Sequence, residues 1–272
     1  MKQLAFYLLF LFVLINSTFA QNSAYQWAKQ IGTEFGGNDE GYCIKTDASN
    51  NVYIAGAFEG VLDMDPSAGI YNITSANLKD PFFAKYDATG NLVWAKSIRG
   101  ASGDDYACSI AIDGSGNVYV CGHFYGTADF DPAPNTTVNR TSAGSQDMFI
   151  AKYDVNGNYL WAITLGSSYT GSRDIAQSLT IDSNNDLLVT GQFTGTTDFD
   201  PSAGTANLTT TAFNSAFIAK YSNTGNYIWA KGLIGGTDSA VETIILDGSS
   251  NIIITGAFRG TVDFDPVRVL PI

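Results

Sequence analysis

Apolar and polar positions follow one pattern that recurs along the chain. An apolar run ends in an aspartate, a polar turn follows (DASNN, DGSGN, DSNND or DGSSN), and a second apolar run begins, as in NVYIAGAF. In that run Val52 and Ile54 lie on one face and Tyr53 lies on the other. A strand that is apolar on both faces is typical of one that is covered on two sides. The pattern therefore predicts buried strands joined by Asx- and Gly-rich turns.

Two further strands complete the predicted unit. The segments FFAKY, FIAKY and FIAKY form the third strand, and a tight turn (DATGN, DVNGN or SNTGN) leads to a fourth strand that carries a tryptophan. The tryptophans Trp27, Trp94, Trp161 and Trp229 are spaced by 67, 67 and 68 residues. No segment shows helical periodicity. Short strands with a fixed four-strand period predict an all-β fold, a β-propeller with blades of about 67 residues.

The combined motif is specific enough to indicate a family. FIAKYDxxGNxxWA, followed by DxxGNVYVxG and DFDP, resembles the SBBP family of seven-bladed β-propeller repeats, which occur in exported bacterial proteins. By this resemblance, segment 41–47 is the innermost strand of a blade, 51–58 and 81–87 follow, and the Trp94 strand is outermost. The resemblance also implies that a strand at Trp27 completes the last blade of a closed ring.

The repeat predicts the domain boundaries. We expect a signal peptide at 1–20, propeller repeats at 21–266 and a divergent tail at 267–272. The repeats begin with an orphan outer strand at 24–32. Three blades follow at about 39–99, 105–166 and 174–234, and a partial blade lies at 238–266. About 3.5 blades are therefore present, whereas seven would need about 470 residues. We expect an incomplete propeller whose remaining blades are missing from this chain.

The first twenty residues have the features of an export signal. Lys2 precedes an apolar run over residues 4–15, and Thr18 and Ala20 give the small-x-small pattern before a cleavage site. A membrane anchor is the alternative, but a helix that spans a bilayer needs about 20 apolar residues. The sequence predicts a secreted or cell-surface protein with no membrane span after the signal.

Charge and cysteine content narrow the partners and the redox chemistry. The formal net charge of −12 argues against nucleic acid as a partner, because phosphate binding needs clustered Lys and Arg.

The three cysteines, Cys43, Cys108 and Cys121, occupy repeat positions that hold small or polar residues in the other copies. This favours an interpretation in which they are packing residues. One disulfide with a third free thiol is the alternative.

A recurring acidic pair is the strongest candidate for a metal site. It occurs in the Asp-x-Asp-Pro motif of every unit, as Asp63, Asp65, Asp129, Asp131, Asp198, Asp200, Asp263 and Asp265. Carboxylates in a loop suit Ca²⁺. The same residues could instead close Asx-turns and end the strand, or pair with the recurrent lysines Lys85, Lys152 and Lys220. The motif opens predicted loops of about twenty residues, which mark one rim as the functional face.

Candidate catalytic groups are few. His123 is the single histidine, and its repeat counterparts are Ala57, Gln192 and Ala257. Because every other polar feature is repeated, the sequence favours a non-enzymatic scaffold that binds protein or glycan and requires no cofactor. Two alternatives stay open: a carbohydrate-active hydrolase or lyase that uses the rim aspartates, and a truncated fragment without independent function.

Overall fold

The computed structural model describes residues 27–32 and 37–264, and all regular structure in these ranges is β. The predicted signal peptide at 1–20 and the tail at 267–272 lie outside the described residues. Among the described residues, no helix is long and apolar enough to cross a membrane.

The strands group into four successive sets, which we call units 1 to 4. Unit 1 contains β1 (Glu40–Thr46), β2 (Val52–Asp63), β3 (Asn72–Tyr86) and β4 (Leu92–Ser97). Unit 2 contains β5 (Arg99–Ile112), β6 (Val118–Asp129), β7 (Asn139–Tyr153) and β8 (Tyr159–Leu165). Unit 3 contains β9 (Ile175–Ile181), β10 (Leu187–Phe193), β11 (Thr196–Asp198), β12 (Asn207–Thr209), β13 (Ser215–Tyr221) and β14 (Tyr227–Leu233). Unit 4 contains β15 (Asp238–Leu246) and β16 (Ile252–Arg259).

Units 1 to 3 each form a four-stranded antiparallel sheet whose strands pair in chain order. In unit 1, Ile54 of β2 pairs with Ala84 of β3, and Lys85 of β3 pairs with Trp94 of β4. β15 and β16 form a two-stranded sheet. The predicted all-β fold built from antiparallel four-stranded units is confirmed.

The turn between the first two strands of a unit is closed by its aspartate. The Oδ1 atom of Asp47 accepts hydrogen bonds from the backbone N–H groups of Ser49 and Asn51, both at 2.9 Å. Asn50 has a φ of 61°, a left-handed conformation that asparagine tolerates well. Asp113, Asp182 and Asp247 make the corresponding bonds. The recurring turn sequence therefore fixes the register of each hairpin.

The predicted twenty-residue loops between the second and third strands are wrong. In unit 1, β2 continues to Asp63 and pairs with β3 again from Asn72, with an irregularity near Gly60. Unit 2 behaves in the same way, and in unit 3 the extension is the separate hairpin β11–β12. Gly60 sits at a bulge between the two paired stretches and has a positive φ of 83°. These segments are extended hairpins with short tips.

Adjacent units pack through aromatic and aliphatic side chains. Between units 1 and 2, Tyr53 and Phe83 contact the side of unit 2 that carries Val120 and Tyr153, and all four are fully buried. A similar cluster joins units 2 and 3, and a smaller one joins units 3 and 4. A strand pattern with both faces apolar is thus explained by burial between neighbouring sheets.

The tryptophan of one unit is hydrogen-bonded to the next unit. Trp94 Nε1 donates to the Val155 carbonyl at 3.0 Å, and Trp161 Nε1 donates to the Asn223 carbonyl at 3.3 Å. Trp27 makes the same bond to Ala88 of unit 1 at 3.2 Å. The segment 27–32 therefore contacts unit 1 as a fourth strand contacts the following unit, although its described part forms a single bridge, at Gly32, rather than a ladder.

The recurrent lysines of the third strand have structural partners. Lys152 Nζ lies 3.9 Å from Asp113 Oδ2, and Lys220 Nζ lies 2.8 Å from Asp182 Oδ2. Lys85 Nζ lies 5.2 Å from the centre of the Tyr53 ring. In units 2 and 3 the lysine thus pairs with the turn aspartate of its own unit, which accommodates a charge between sheets, and the pairing with the Asp-x-Asp-Pro acids is wrong for these units.

Candidate functional site

The Asp-x-Asp-Pro acids close the tips of the long hairpins. In unit 2, Asp129 Oδ1 accepts hydrogen bonds from the N–H groups of Asp131 (3.1 Å) and Val138 (2.8 Å), and Asp131 Oδ1 accepts one from Ala133 (3.0 Å). The corresponding bonds are made by Asp63, Asp65, Asp198 and Asp200. In each case the carboxylate satisfies backbone donors of its own turn, as the Asx-turn alternative requires.

The residue between the two acids belongs to the core. Met64, Phe130 and Phe199 are fully buried. Their carbonyls accept hydrogen bonds from Tyr86, Tyr153 and Tyr221, at 2.9, 3.1 and 2.9 Å. Those tyrosines end the third strand of each unit. The motif therefore ties the hairpin tip to the sheet, and this role accounts for its repetition.

The structure keeps the acidic pairs apart, one pair in each unit, and Asp265 lies outside the described residues. In the ranges 27–32 and 37–264, no group of three or more His, Cys, Asp or Glu side chains is placed to hold a metal ion. Calcium binding at these pairs stays a prediction. A pocket of about 640 Å³ is lined by Asp63, Asp65 and residues 30 and 32, but each of these two carboxylates already accepts backbone hydrogen bonds.

A second pocket, of about 510 Å³, opens where the first strands of units 1 to 3 begin. We call it the inner pocket. Its lining is mostly aromatic and polar: Tyr42, Leu78, Gly103, Asp104, Tyr106, Cys108, His123, Tyr125, Gln146, Arg173, Ile175 and Gln177. It lies at the end of the units where the second strand leads into the third. This end is the rim that the sequence predicts as the functional face. Recessed pockets with convergent polar groups are the usual form of a ligand site.

Aromatic rings are arranged in series along one wall of the inner pocket. The centre of the Tyr42 ring lies 5.7 Å from that of Tyr106 in an edge-on arrangement, and Tyr106 lies 4.9 Å from His123. Lys79 Nζ lies 5.4 Å from the centre of the Tyr106 ring and forms an ion pair with Glu40 at 2.8 Å. Tyr42 is 47% exposed. The wall therefore presents ring surface to solvent on a rigid support.

Cys108 and His123 form the one contact in the pocket that resembles a nucleophile and its base. Cys108 Sγ lies 3.8 Å from His123 Nδ1. Burial raises the pKa of Cys108 to about 12, and burial together with the charge of Arg173 lowers the pKa of His123 to about 3. Both groups are therefore neutral at physiological pH. Because a nucleophilic cysteine needs a stabilised thiolate, this environment opposes that chemistry.

Two buried aspartates lie where units 1 and 2 meet. Asp80 and Asp105 are 1% and 0% exposed. Asp80 accepts N–H bonds from Ala76 (2.8 Å) and Gly100 (3.0 Å), whereas Asp105 accepts one from Tyr125 (2.8 Å) and its Oδ2 has no hydrogen-bond partner in the described part of the chain. Burial raises the pKa of Asp105 to about 8, with Asp80 and Asp104 adding repulsion, and raises that of Asp80 to about 6.

The same arrangement occurs between units 2 and 3. Asp147 and Asp174 are 3% and 0% exposed, and burial raises both of their pKa values, that of Asp174 to about 6. Asp105 and Asp174, the acids near the start of the first strand in units 2 and 3, are thus structural features of the junctions between units. Their burial leaves them out of reach of a substrate.

Most residues of the inner pocket were missed by the sequence prediction, because they are the residues that do not repeat. The copies of the unit agree in their strands and turns but differ where they face the pocket. Three positions show this, each given in the order of units 1 to 4. The first holds Tyr42, Cys108, Gln177 and Glu242. The second holds Glu59, Tyr125, Thr194 and Arg259, and the third holds Asn38, Asp104, Arg173 and Thr237. Polar positions that vary between otherwise matching copies are the signal that would have identified the site.

The comparisons with known proteins agree with this geometry. Residues 93–123 match the family model of the SBBP beta-propeller repeat. This stretch of the chain is therefore similar to an SBBP beta-propeller repeat. The matched residues run from the fourth strand of unit 1 into the second strand of unit 2.

Two curated proteins are similar over most of this chain. An uncharacterized WD repeat-containing protein of Acanthamoeba polyphaga mimivirus is 30% identical over 245 residues, which is 80% of this chain and 17% of that protein. The regulatory protein FlaEY of Caulobacter vibrioides is 27% identical over 215 residues, which is 76% of this chain and 21% of that protein. The chain thus spans about a fifth of the length of these relatives.

Proposed function

We propose that this chain is an exported, non-enzymatic binding scaffold whose ligand surface is the rim that holds the inner pocket. The observation that carries the proposal is the contrast between a repeated framework and an unrepeated pocket. A framework of matching units holds side chains that differ from unit to unit, and recognition of a ligand needs such a set of differing groups on a rigid support.

The chemistry of the site supports binding rather than catalysis. The Cys108–His123 contact is neutral at physiological pH. The rim aspartates of units 1 to 3 accept backbone hydrogen bonds of their own turns, so they take equivalent structural roles instead of one catalytic role. The relatives are named as a WD repeat-containing protein and a regulatory protein. These names favour an interaction scaffold over the hydrolase alternative.

Export is tested by fusing residues 1–20 to alkaline phosphatase without its own signal, in a bacterial host. We expect enzyme activity, because this phosphatase folds only outside the reducing cytoplasm. The matched control replaces Leu8, Leu9 and Leu11 with Asp and should abolish the activity. An inactive parent fusion that is expressed at the same level would contradict export.

Binding is tested with the purified chain on arrays of oligosaccharides and of extracellular matrix proteins. We expect reproducible hits and no release of reducing ends from the saccharides. A lack of any hit on either array would contradict the scaffold. Release of reducing ends that is lost in Asp131→Asn would favour the hydrolase instead.

A further inference from the structure

We propose that the inner pocket binds a neutral oligosaccharide, which packs on the ring wall formed by Tyr42 and Tyr106. The inference rests on the proposed binding function and names the ligand class of that site. Three properties of the pocket carry it: the exposed ring wall, an unpartnered buried amide, and opposite charges at the mouth.

The ring wall supplies the apolar contact that a sugar needs. A sugar ring has faces of C–H groups and an edge of hydroxyls, so it packs flat against an aromatic ring. Tyr42, Tyr106 and Tyr125 all line the pocket, and His123 supports Tyr106 from within the protein. Because burial holds His123 in its neutral form, the support carries no charge that would select for an ion.

The polar groups match hydroxyls rather than an ion. Gln146 is 4% exposed, and its Oε1 has no hydrogen-bond partner within the described ranges. A buried acceptor of this kind is costly unless a ligand donates to it. Asp104 adds an exposed acceptor, and Arg173 adds exposed donors that form no ion pair with a described residue. Hydroxyls both donate and accept, so they can satisfy all three groups.

Charge argues against a simple anion or cation, and size argues against a folded protein surface. Asp104 and Arg173 carry opposite charges, so neither an anion nor a cation is favoured at the mouth of the pocket. Lys79 is already paired with Glu40. The volume of about 510 Å³ lies in the range of small-molecule sites and suits about two sugar rings. A folded protein surface is too broad to fill such a recess, although a peptide side chain could enter it.

The test is isothermal titration of the full chain with maltotriose, cellotriose, xylotriose and chitotriose. We expect at least one to bind, and Tyr106→Ala and Arg173→Gln to weaken that binding by about tenfold or more, which corresponds to ~1.4 kcal/mol each. Tyr169→Ala is the matched control, because Tyr169 is 63% exposed and lies outside the inner pocket. Circular dichroism shows whether Tyr106→Ala still folds, and Arg173→Gln changes an exposed side chain.

The outcomes separate this inference from the proposed function. Loss of binding in both pocket variants with Tyr169→Ala unaffected supports it. Binding that is unchanged in Tyr106→Ala and Arg173→Gln overturns the site. No binding of the four saccharides, together with hits on the protein array, overturns the ligand class and leaves the scaffold standing. No binding of any kind contradicts both.

Discussion

The aspartates of this chain include two groups, those that close turns and those that are buried where two units meet, which we call the junction aspartates. The aspartates of the turns lie near the surface and accept backbone N–H bonds. For example, hydrogen bonds from Asn251 lower the pKa of Asp247. The junction aspartates have the opposite character: burial raises the pKa values of Asp80, Asp105 and Asp174. The pKa of an aspartate in this chain is therefore lowered or raised according to its place in the repeat.

The junction aspartates predict that stability falls as pH rises. The unfolded pKa of aspartate is about 3.9, so the folded chain binds more protons than the unfolded chain between about pH 4 and 8. Ionisation of the buried Asp80, Asp174 and then Asp105 therefore lowers the free energy of unfolding across this window. His123, whose folded pKa of about 3 lies below its unfolded value, opposes this change only below about pH 6.5, and it is one group against three carboxyls. The turn aspartates act only when the pH falls below about 4. We expect the melting temperature to be higher at pH 5 than at pH 8.

The variant that checks this is Asp105→Asn, which keeps the acceptor for the Tyr125 N–H group and cannot ionise. It should raise the melting temperature at pH 8 by about 3 °C or more, since ~1 kcal/mol corresponds to ~2–4 °C for a chain of this size. Glu242→Gln removes an exposed carboxyl that takes no part in the pKa shift of Asp105 and is the control. Equal pH slopes in the wild type and in Asp105→Asn, measured by scanning calorimetry, would refute the buried-carboxyl argument.

The rim aspartates allow a clean separation of their structural and calcium-binding interpretations. Asp198→Asn keeps the Oδ1 atom that accepts the N–H groups of Asp200 and Ala206, whereas Asp198→Ala removes it. If the acid closes the turn, the alanine variant loses ~1–3 kcal/mol and the asparagine variant loses much less. If the acid binds Ca²⁺, calcium raises the melting temperature of the wild type, and both variants lose that increase. Chemical denaturation with calcium or with EDTA distinguishes the two.

At the scale of elements, a unit is a meander whose fourth strand is held by the next unit. Trp94 is 7% exposed, and its ring makes edge-on contacts with Tyr53 and Phe83, with centres 6.2 and 5.9 Å away. Its indole N–H reaches the β7–β8 turn of unit 2. The long hairpin is fixed by a different device, the buried Phe130 or its equivalent. The tryptophan thus attaches the outer strand to the neighbouring unit, whereas the hairpin tip is attached to the sheet of its own unit.

Replacement of Trp94 should weaken the junction of units 1 and 2. Trp94→Ala removes a buried ring and should cost ~3–5 kcal/mol in the free energy of unfolding. Trp94→Phe keeps part of the ring packing but leaves the Val155 carbonyl without its donor, so it should cost less. Trp27→Phe is the comparison, because Trp27 is more exposed and its bond to Ala88 is also exposed. Equal losses in Trp94→Phe and Trp27→Phe in urea unfolding would contradict this ranking.

At the scale of the whole molecule, the junctions between units differ in how completely they are covered. The position of Tyr53 and Tyr119 is fully buried in units 1 and 2. The equivalent Ile253 in unit 4 is 47% exposed, and Ile245, which pairs with it, is 51% exposed. An exposed apolar face on a sheet favours association.

We expect the 272-residue chain to associate through this face at high concentration. Ile253→Thr should shift light-scattering masses towards the monomer without lowering the melting temperature, because threonine suits an exposed strand position. Ile44→Thr is the control, since Ile44 is 65% exposed on the first strand of unit 1. Association that persists in Ile253→Thr and disappears in Ile44→Thr would place the contact on the other side of the molecule.

The sequence by itself determined the unit, because the period of the tryptophans, the two-sided apolar strands and the Asx-rich turns are local properties that each copy repeats. It also predicted a functional rim, and that rim is where we propose a ligand site. It failed on the segments after Gly60, Gly126 and Gly195, where a positive-φ glycine resembles a strand end although pairing resumes beyond the bulge.

Tertiary structure alone decided which polar residues meet. The acids that repeat proved to close turns or to lie buried between units, and the inner pocket is formed by residues that share no motif. Tyr42, Tyr106, Gln146 and Arg173 come from three units and are distant in the chain. Only the packing of one unit against the next brings them to a single pocket, because side-chain contact depends on the distance between sheets and not on sequence spacing.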